Sequence, residues 1–156
     1  KLQKDPEFYY RFSLKINKLL EEMRLKKIAD IEALKQAKLI KDQVLNKQDD
    51  TLPGPILTNK GADIFYRNLQ SQFVGYGIGE TQFIKIVLDL LNVVLQHSIV
   101  DWHINREQIR IMKNAIDDYL YDVIEKEYRI EIGNEDRNRL EDLIIELAKN
   151  NFEVFN

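Results

Sequence analysis

The chain has no cysteine, two histidines, three prolines and a single tryptophan among its 156 residues. The missing cysteine excludes a disulfide framework and thiolate zinc sites, and suits a reducing compartment. His97 and His103, six residues apart, are too few for a zinc site without a carboxylate or thiol at ligand spacing, and none is so placed. His97, near a helix C-terminus, is read as a dipole or capping residue. No apolar run reaches the ~18–20 residues that a bilayer-spanning helix needs. The opening Lys1-Leu2-Gln3-Lys4-Asp5 holds no apolar stretch of the secretory-leader type, and a start at Lys is expected of a piece of a longer protein. Nucleophile settings are also missing: Ser13, Ser71 and Ser98 stand outside any G-x-S-x-G elbow.

What is present is a moderately apolar, highly charged composition: 44% hydrophobic and 31% charged, enough for one cored domain. The net charge of −3 conceals an uneven split, with +5 over residues 1–48 and −8 over residues 49–156. The positive half could face nucleic acid or the acidic half of the same protein. The excess is spread thinly rather than gathered into a phosphate-binding stripe, which favours the second.

Periodicity points to helices throughout. Asp5-Pro6-Glu7 combines an N-cap oxygen, a proline suited to the first helical position and a dipole-complementing acid. Phe8, Phe12, Ile16, Leu19, Leu20 and Met23 then recur at threes and fours, followed by Ile28, Ile31, Leu34, Ile40, Val44 and Leu45. One helix of that length would exceed ~60 Å, so a break near 26–29 and a helical hairpin are expected, with a continuous arm as the alternative. Asp49-Asp50-Thr51-Leu52-Pro53-Gly54-Pro55 reads as a linker. A short helix over 62–73 follows, with Ile64, Phe65 and Leu69 inward. Gly75-Tyr76-Gly77-Ile78-Gly79 is a second breaker. Glu80 or Thr81 opens a helix whose Phe83 to Leu95 segment is apolar almost all round, marking it as the central one. Asn105 caps the next, with Ile109, Met112, Ile116, Leu120, Val123 and Ile124 on one face. Tyr128 to Gly133 is short and extended, and allows one strand. Asn134 caps a last helix carrying Leu140, Leu143, Ile144, Leu147 and Ala148 inward. The reading is an all-α fold of about six helices, orthogonal or bundle-like, with at most one extended segment near 128–132. It divides into a hairpin or arm at 1–48, a linker with one short helix at 49–79, and a three-helix core at 80–156.

Few constellations point to chemistry. Asp117-Asp118, Asp49-Asp50 and Glu21-Glu22 are adjacent carboxylates, and neighbours on a helix diverge by about 100°, so they suit solvated faces better than an acid/base pair. The glycines Gly75, Gly77 and Gly79 before a helix N-terminus suggest a phosphate or nucleotide site, but their spacing matches neither dinucleotide nor P-loop fingerprints. Seven tyrosines at helical spacing are read as core rims ahead of base-stacking platforms. The lone Trp102 sits in the gap between the apolar helix and the one capped by Asn105. It either pins that corner from inside or serves as a partner-facing hot spot; burial statistics favour the first.

The stretch Ser98-Ile99-Val100-Asp101-Trp102-His103, with Arg106-Glu107 and Arg110 to Tyr121 including Ala115-Ile116-Asp117-Asp118-Tyr119-Leu120, resembles the end of type I restriction enzyme R subunits. Those chains close with a Val-Asp-Trp motif, a helix with a basic pattern and an Ala-Ile-Asp-Asp-Tyr-Leu type stretch. Asp5-Pro6-Glu7-Phe8-Tyr9 and Phe12-Ser13 are similar to the start of their C-terminal helical region, and Glu141 to Phe152 to its close. Only 98–121 is specific; 49–79 matches nothing in the family. The resemblance implies a cytoplasmic subunit that translocates DNA with ATP and Mg and, as a whole, is a site-specific deoxyribonuclease. It implies as partners the motor and nuclease domains of the same chain, the methyltransferase and specificity subunits, and DNA through the whole complex. The motor and nuclease motifs of that family are not in this sequence, so no catalytic residue and no cofactor of its own is assigned. What carries over is an assembly role, with Val100, Asp101, Trp102 and Arg106 as the partner-binding positions.

Overall fold

In the computed structural model, residues 4–25, 30–46 and 51–155 are described. Seven α-helices form among the described residues: α1 (Pro6–Arg24), α2 (Asp30–Asn46), α3 (Gly54–Leu57), α4 (Ala62–Phe73), α5 (Glu80–Gln96), α6 (Arg106–Tyr119) and α7 (Asn134–Asn150). No strand occurs among them: where Tyr128 to Gly133 is expected to be extended, Tyr128 still has a helical backbone conformation and Arg129 is left-handed at φ 57°. The chain divides into two compact units, 1–52 and 53–156.

The first unit is a helical hairpin. Asp5 is fully buried and its Oδ1 accepts the Phe8 amide at 3.2 Å, with Pro6 in the first turn as its fixed φ favours. Phe8, Phe12 and Leu19 are buried, the two rings 4.8 Å apart. α2 packs along α1 and buries Ala33. The break expected at 26–29, and the acidic pair Asp49-Asp50, lie outside the described residues. The periodicity that marked the hairpin runs onto both faces: Ile16, Leu20, Ile31 and Leu34 are exposed.

The second unit is built on a ring of four helices. α5 packs on α4 and α6, and α7 touches α6 and α4, closing the circuit. As its composition requires, α5 buries Phe83, Ile86, Val87, Leu90, Leu91 and Val94. The span read as a linker belongs to this unit from Pro53 onward and buries Ile56. Pro55 falls in the first turn of α3, where its missing amide costs no hydrogen bond, so the Pro-Gly-Pro segment starts a one-turn helix instead of preventing one. α4 has the bounds expected from the sequence, but Phe65, Leu69 and Phe73 are completely or almost completely buried, making it a fourth core helix and not a linker element.

Three local features correct or add to the sequence expectations. α7 is entered from Gly133 at φ 90°, a conformation glycine adopts without strain, so Asn134 is the first helical residue and not the cap. α6 does not stop at Tyr119 but continues as a π-helix over Leu120–Glu127, closed by the Tyr128 amide on the Val123 carbonyl at 2.8 Å. Gly61, at φ 92°, precedes α4, and a Cβ there would meet the Phe155 ring at 2.8 Å. Phe155, fully buried and stacked on Phe65 at 5.1 Å, thus seals the chain end against this glycine.

Candidate functional site

The corner between α5 and α6 is tied from both sides. At the end of α5, His97 Nδ1 lies 2.8 Å from the Val93 carbonyl, and Ser98 Oγ donates to Val94 O at 2.7 Å. Both side chains bond carbonyls of the last turn of α5, where the His97 amide also reaches Val94 O at 3.1 Å. The Gln108 amide nitrogen Nε2 donates back to His97 O at 2.8 Å, while Asn105 Oδ1 accepts the Gln108 backbone amide at 3.1 Å. The expected N-cap is therefore in place. Asp101 takes a left-handed conformation, φ 57°, and starts a 3-10 turn over Trp102–Ile104.

This backbone sends Trp102 inward. It is 1% exposed, and its indole Nε1 donates to the Phe155 carbonyl at 3.1 Å. The neighbours go the other way: Val100 is 88% exposed, Ile104 74% and Ile99 52%. Asp101 and Arg106 are exposed beside them. Of the four partner-binding positions expected, Val100, Asp101 and Arg106 are exposed, whereas Trp102 is buried. His103 stacks face to face on Phe152, ring centres 3.8 Å apart. Among the described residues no group of three or more histidine, aspartate or glutamate side chains could hold a metal ion.

A second cluster lies in the groove between α6 and α7. Asp117 and Asp118 diverge as their helix positions dictate, and Asp118 is exposed. Asp117 accepts from Arg137 Nε at 3.0 Å, and Arg137 also pairs with Glu125 of the π-helix. Glu125 Oε1 in turn accepts the Ile132 and Gly133 amides, at 3.2 and 3.3 Å, holding the approach to α7. Lys113 reaches Asp142 at 2.8 Å. Beside them Glu141 is 2% exposed. Burial, reinforced by the facing Asp117, pushes its carboxyl up to about 8, whereas a hydrogen bond from Glu141 and then Arg137 hold Asp117 low. This carboxyl pair was not read from the sequence. Its signal was there: Glu141 starts the stripe Glu141, Ile144, Ile145, Ala148, all buried, at helical spacing.

The Gly75–Gly79 loop is a 3-10 turn over Val74–Tyr76 leading to Gly79, which precedes α5. Only Gly77 has positive φ, 71°, and a Cβ at any of the three would meet nothing within 4 Å. The adjoining cavity, about 220 Å³, is lined by Tyr66, Gln70, Phe73, Val74, Ile78, Glu80 and Phe83. Its only charged lining residue is the acidic Glu80, the wrong sign for a phosphate.

On the basic half, Arg24 pairs with Glu21 at 2.7 Å and Arg11 with Glu7 at 3.7 Å, along the same helix. Tyr119 and Tyr76 serve as links, donating to Asp89 at 2.8 Å and Asp136 at 3.1 Å. Among the described residues no helix is long and apolar enough to cross a membrane. No family model, curated protein or solved structure matches the chain.

Proposed function

We propose that this chain is an assembly module, the C-terminal helical domain of a type I restriction R subunit, and that it docks through the corner at 99–104. The observation that carries the reading is the division of labour at that corner. Trp102 is locked inside by packing and by its bond to Phe155, while Ile99, Val100 and Ile104 stand out in solvent. Apolar side chains on a loop with a rigid anchor lose little entropy on binding, which is what a docking patch needs. The resemblance of 98–121 to the close of R subunits supplies the larger assembly. In it, the patch would meet the motor and nuclease domains of the same chain or the methyltransferase and specificity subunits. ATP, Mg and DNA would belong to the parent complex and not to this module.

The test is to place Val100→Asp and Ile104→Asp in the full-length subunit and measure its association with the methyltransferase and specificity subunits. The reading expects a folded subunit whose assembly affinity drops by about 30-fold or more, the effect of losing a hot spot worth ~2 kcal/mol. Unchanged affinity with both variants would overturn it.

A further inference from the structure

The docking reading leaves a buried acid unused. Glu141 Oε2 accepts no hydrogen bond, although the residue is 2% exposed. An unpartnered carboxylate oxygen inside a protein is costly. The cations that could neutralise it are committed elsewhere. Lys113 of α6 reaches Asp142, and Arg137, one turn earlier on α7, is drawn to Asp117 and Glu125. On α4, the other helix packed against α7, the charged residues are Asp63 and Arg67, paired with each other at 2.7 Å. Asp117 of α6 lines the same groove as Glu141, together with Lys113, Arg137 and Arg110, the last paired with Glu107.

Two facing carboxylates in a partly dry seam do not both ionise; one proton between them satisfies both. We propose that Asp117 and Glu141 share one proton at neutral pH, with Glu141 Oε2–H donating to the Asp117 carboxylate, so that the α6–α7 seam is a proton-dependent joint. The proton is the ligand of this site. When it leaves in mildly alkaline solution, two negative charges face each other and α7 loosens against α6. The inference does not depend on the docking reading.

The sign follows from linkage. Glu141 is raised from its ordinary 4.5 to about 8 in the fold, so its contribution to stability is complete below pH 4.5 and is lost as pH rises through about 8. The test uses the whole chain labelled with ¹³C at the glutamate carboxyls. One glutamate resonance should titrate near pH 8, and infrared spectra at neutral pH should show a protonated-carboxyl band that is missing in Glu141→Gln. Asp117→Asn should lower that titration midpoint by at least about one pH unit. Stability of Glu141→Gln should stay level between pH 4.5 and about 8, the interval over which the unaltered chain weakens. If every glutamate titrates in the ordinary range in the unaltered chain, or the protonated band survives in Glu141→Gln, the proposal fails. The labelled unaltered chain decides the matter even if the variants do not fold.

Discussion

The indole nitrogen of Trp102 donates to the main-chain carbonyl of Phe155 at 3.1 Å, across 53 residues of sequence. One bond therefore joins the α5–α6 corner to the end of the chain, and both partners are buried. The side chain of Phe155 continues the link, stacking on Phe65 of α4 and lying over Gly61.

Removing this pin should be severe. Trp102→Ala is expected to cost about 3–5 kcal/mol, a large part of the stability of a small domain. Trp102→Phe keeps most of the ring but strands the Phe155 carbonyl, for about 1–3 kcal/mol. Denaturant unfolding measures both. Because this is the only tryptophan, its emission should also report a buried indole in the native chain and shift red as the corner opens.

Gly61 and Gly75 make an internally controlled pair. Gly61→Ala forces a left-handed alanine and drives Cβ towards the Phe155 ring, so a loss of about 2–4 kcal/mol is expected. Gly75→Ala adds a methyl where nothing lies within 4 Å, and should change stability by about 0.5 kcal/mol or less. Equal losses at the two sites would contradict the packing described.

Arg137 is the hub of the α6–α7 seam. Arg137→Met removes the partner of Asp117 and Glu125 while keeping much of the side-chain volume. A loss of roughly 2–3 kcal/mol is expected, below the figure for a fully buried pair because Asp117 remains partly open to solvent. Thermal unfolding at neutral pH checks it.

How much of this was legible beforehand depended on the kind of signal. Helix starts announced by both periodicity and a capping residue appeared where expected, at Asp5-Pro6 and at Asn105, because capping and apolar spacing are local physics. The direction of a face was less legible. Ile16, Leu20 and Leu34 fit the helical period as well as Phe8 and Phe12 do, yet only the latter are buried, since periodicity does not tell which stripe meets a neighbour. Pro53-Gly54-Pro55 read as a linker because proline stops a helix, but proline also starts one. The Trp102 corner was found by its odd position, and its inward turn follows from Asp101 adopting φ 57°, which composition alone does not reveal. Glu141 was overlooked because a single acid among charged neighbours looks solvated until the facing helix is in place.

Nucleotide should have no stabilising effect on this module. A ligand bound to the native state raises its stability by mass action. The cavity beside the glycine loop offers only Glu80 as a charged group, so ATP with Mg should leave the unfolding temperature unchanged. A concentration-dependent rise, lost in Gly77→Pro, would restore the phosphate reading of Gly75, Gly77 and Gly79.

The central claim is that the outer side of the corner docks while its inner side folds. Its most direct measurement compares Val100→Asp with the parent sequence in the full-length subunit, by unfolding of the module and by titration against the methyltransferase and specificity subunits. Val100 is 88% exposed, so unfolding stability should move by no more than about 0.5 kcal/mol while association falls by about 30-fold or more. Association that is unchanged, or a loss of binding that merely follows a loss of folding, would contradict the account.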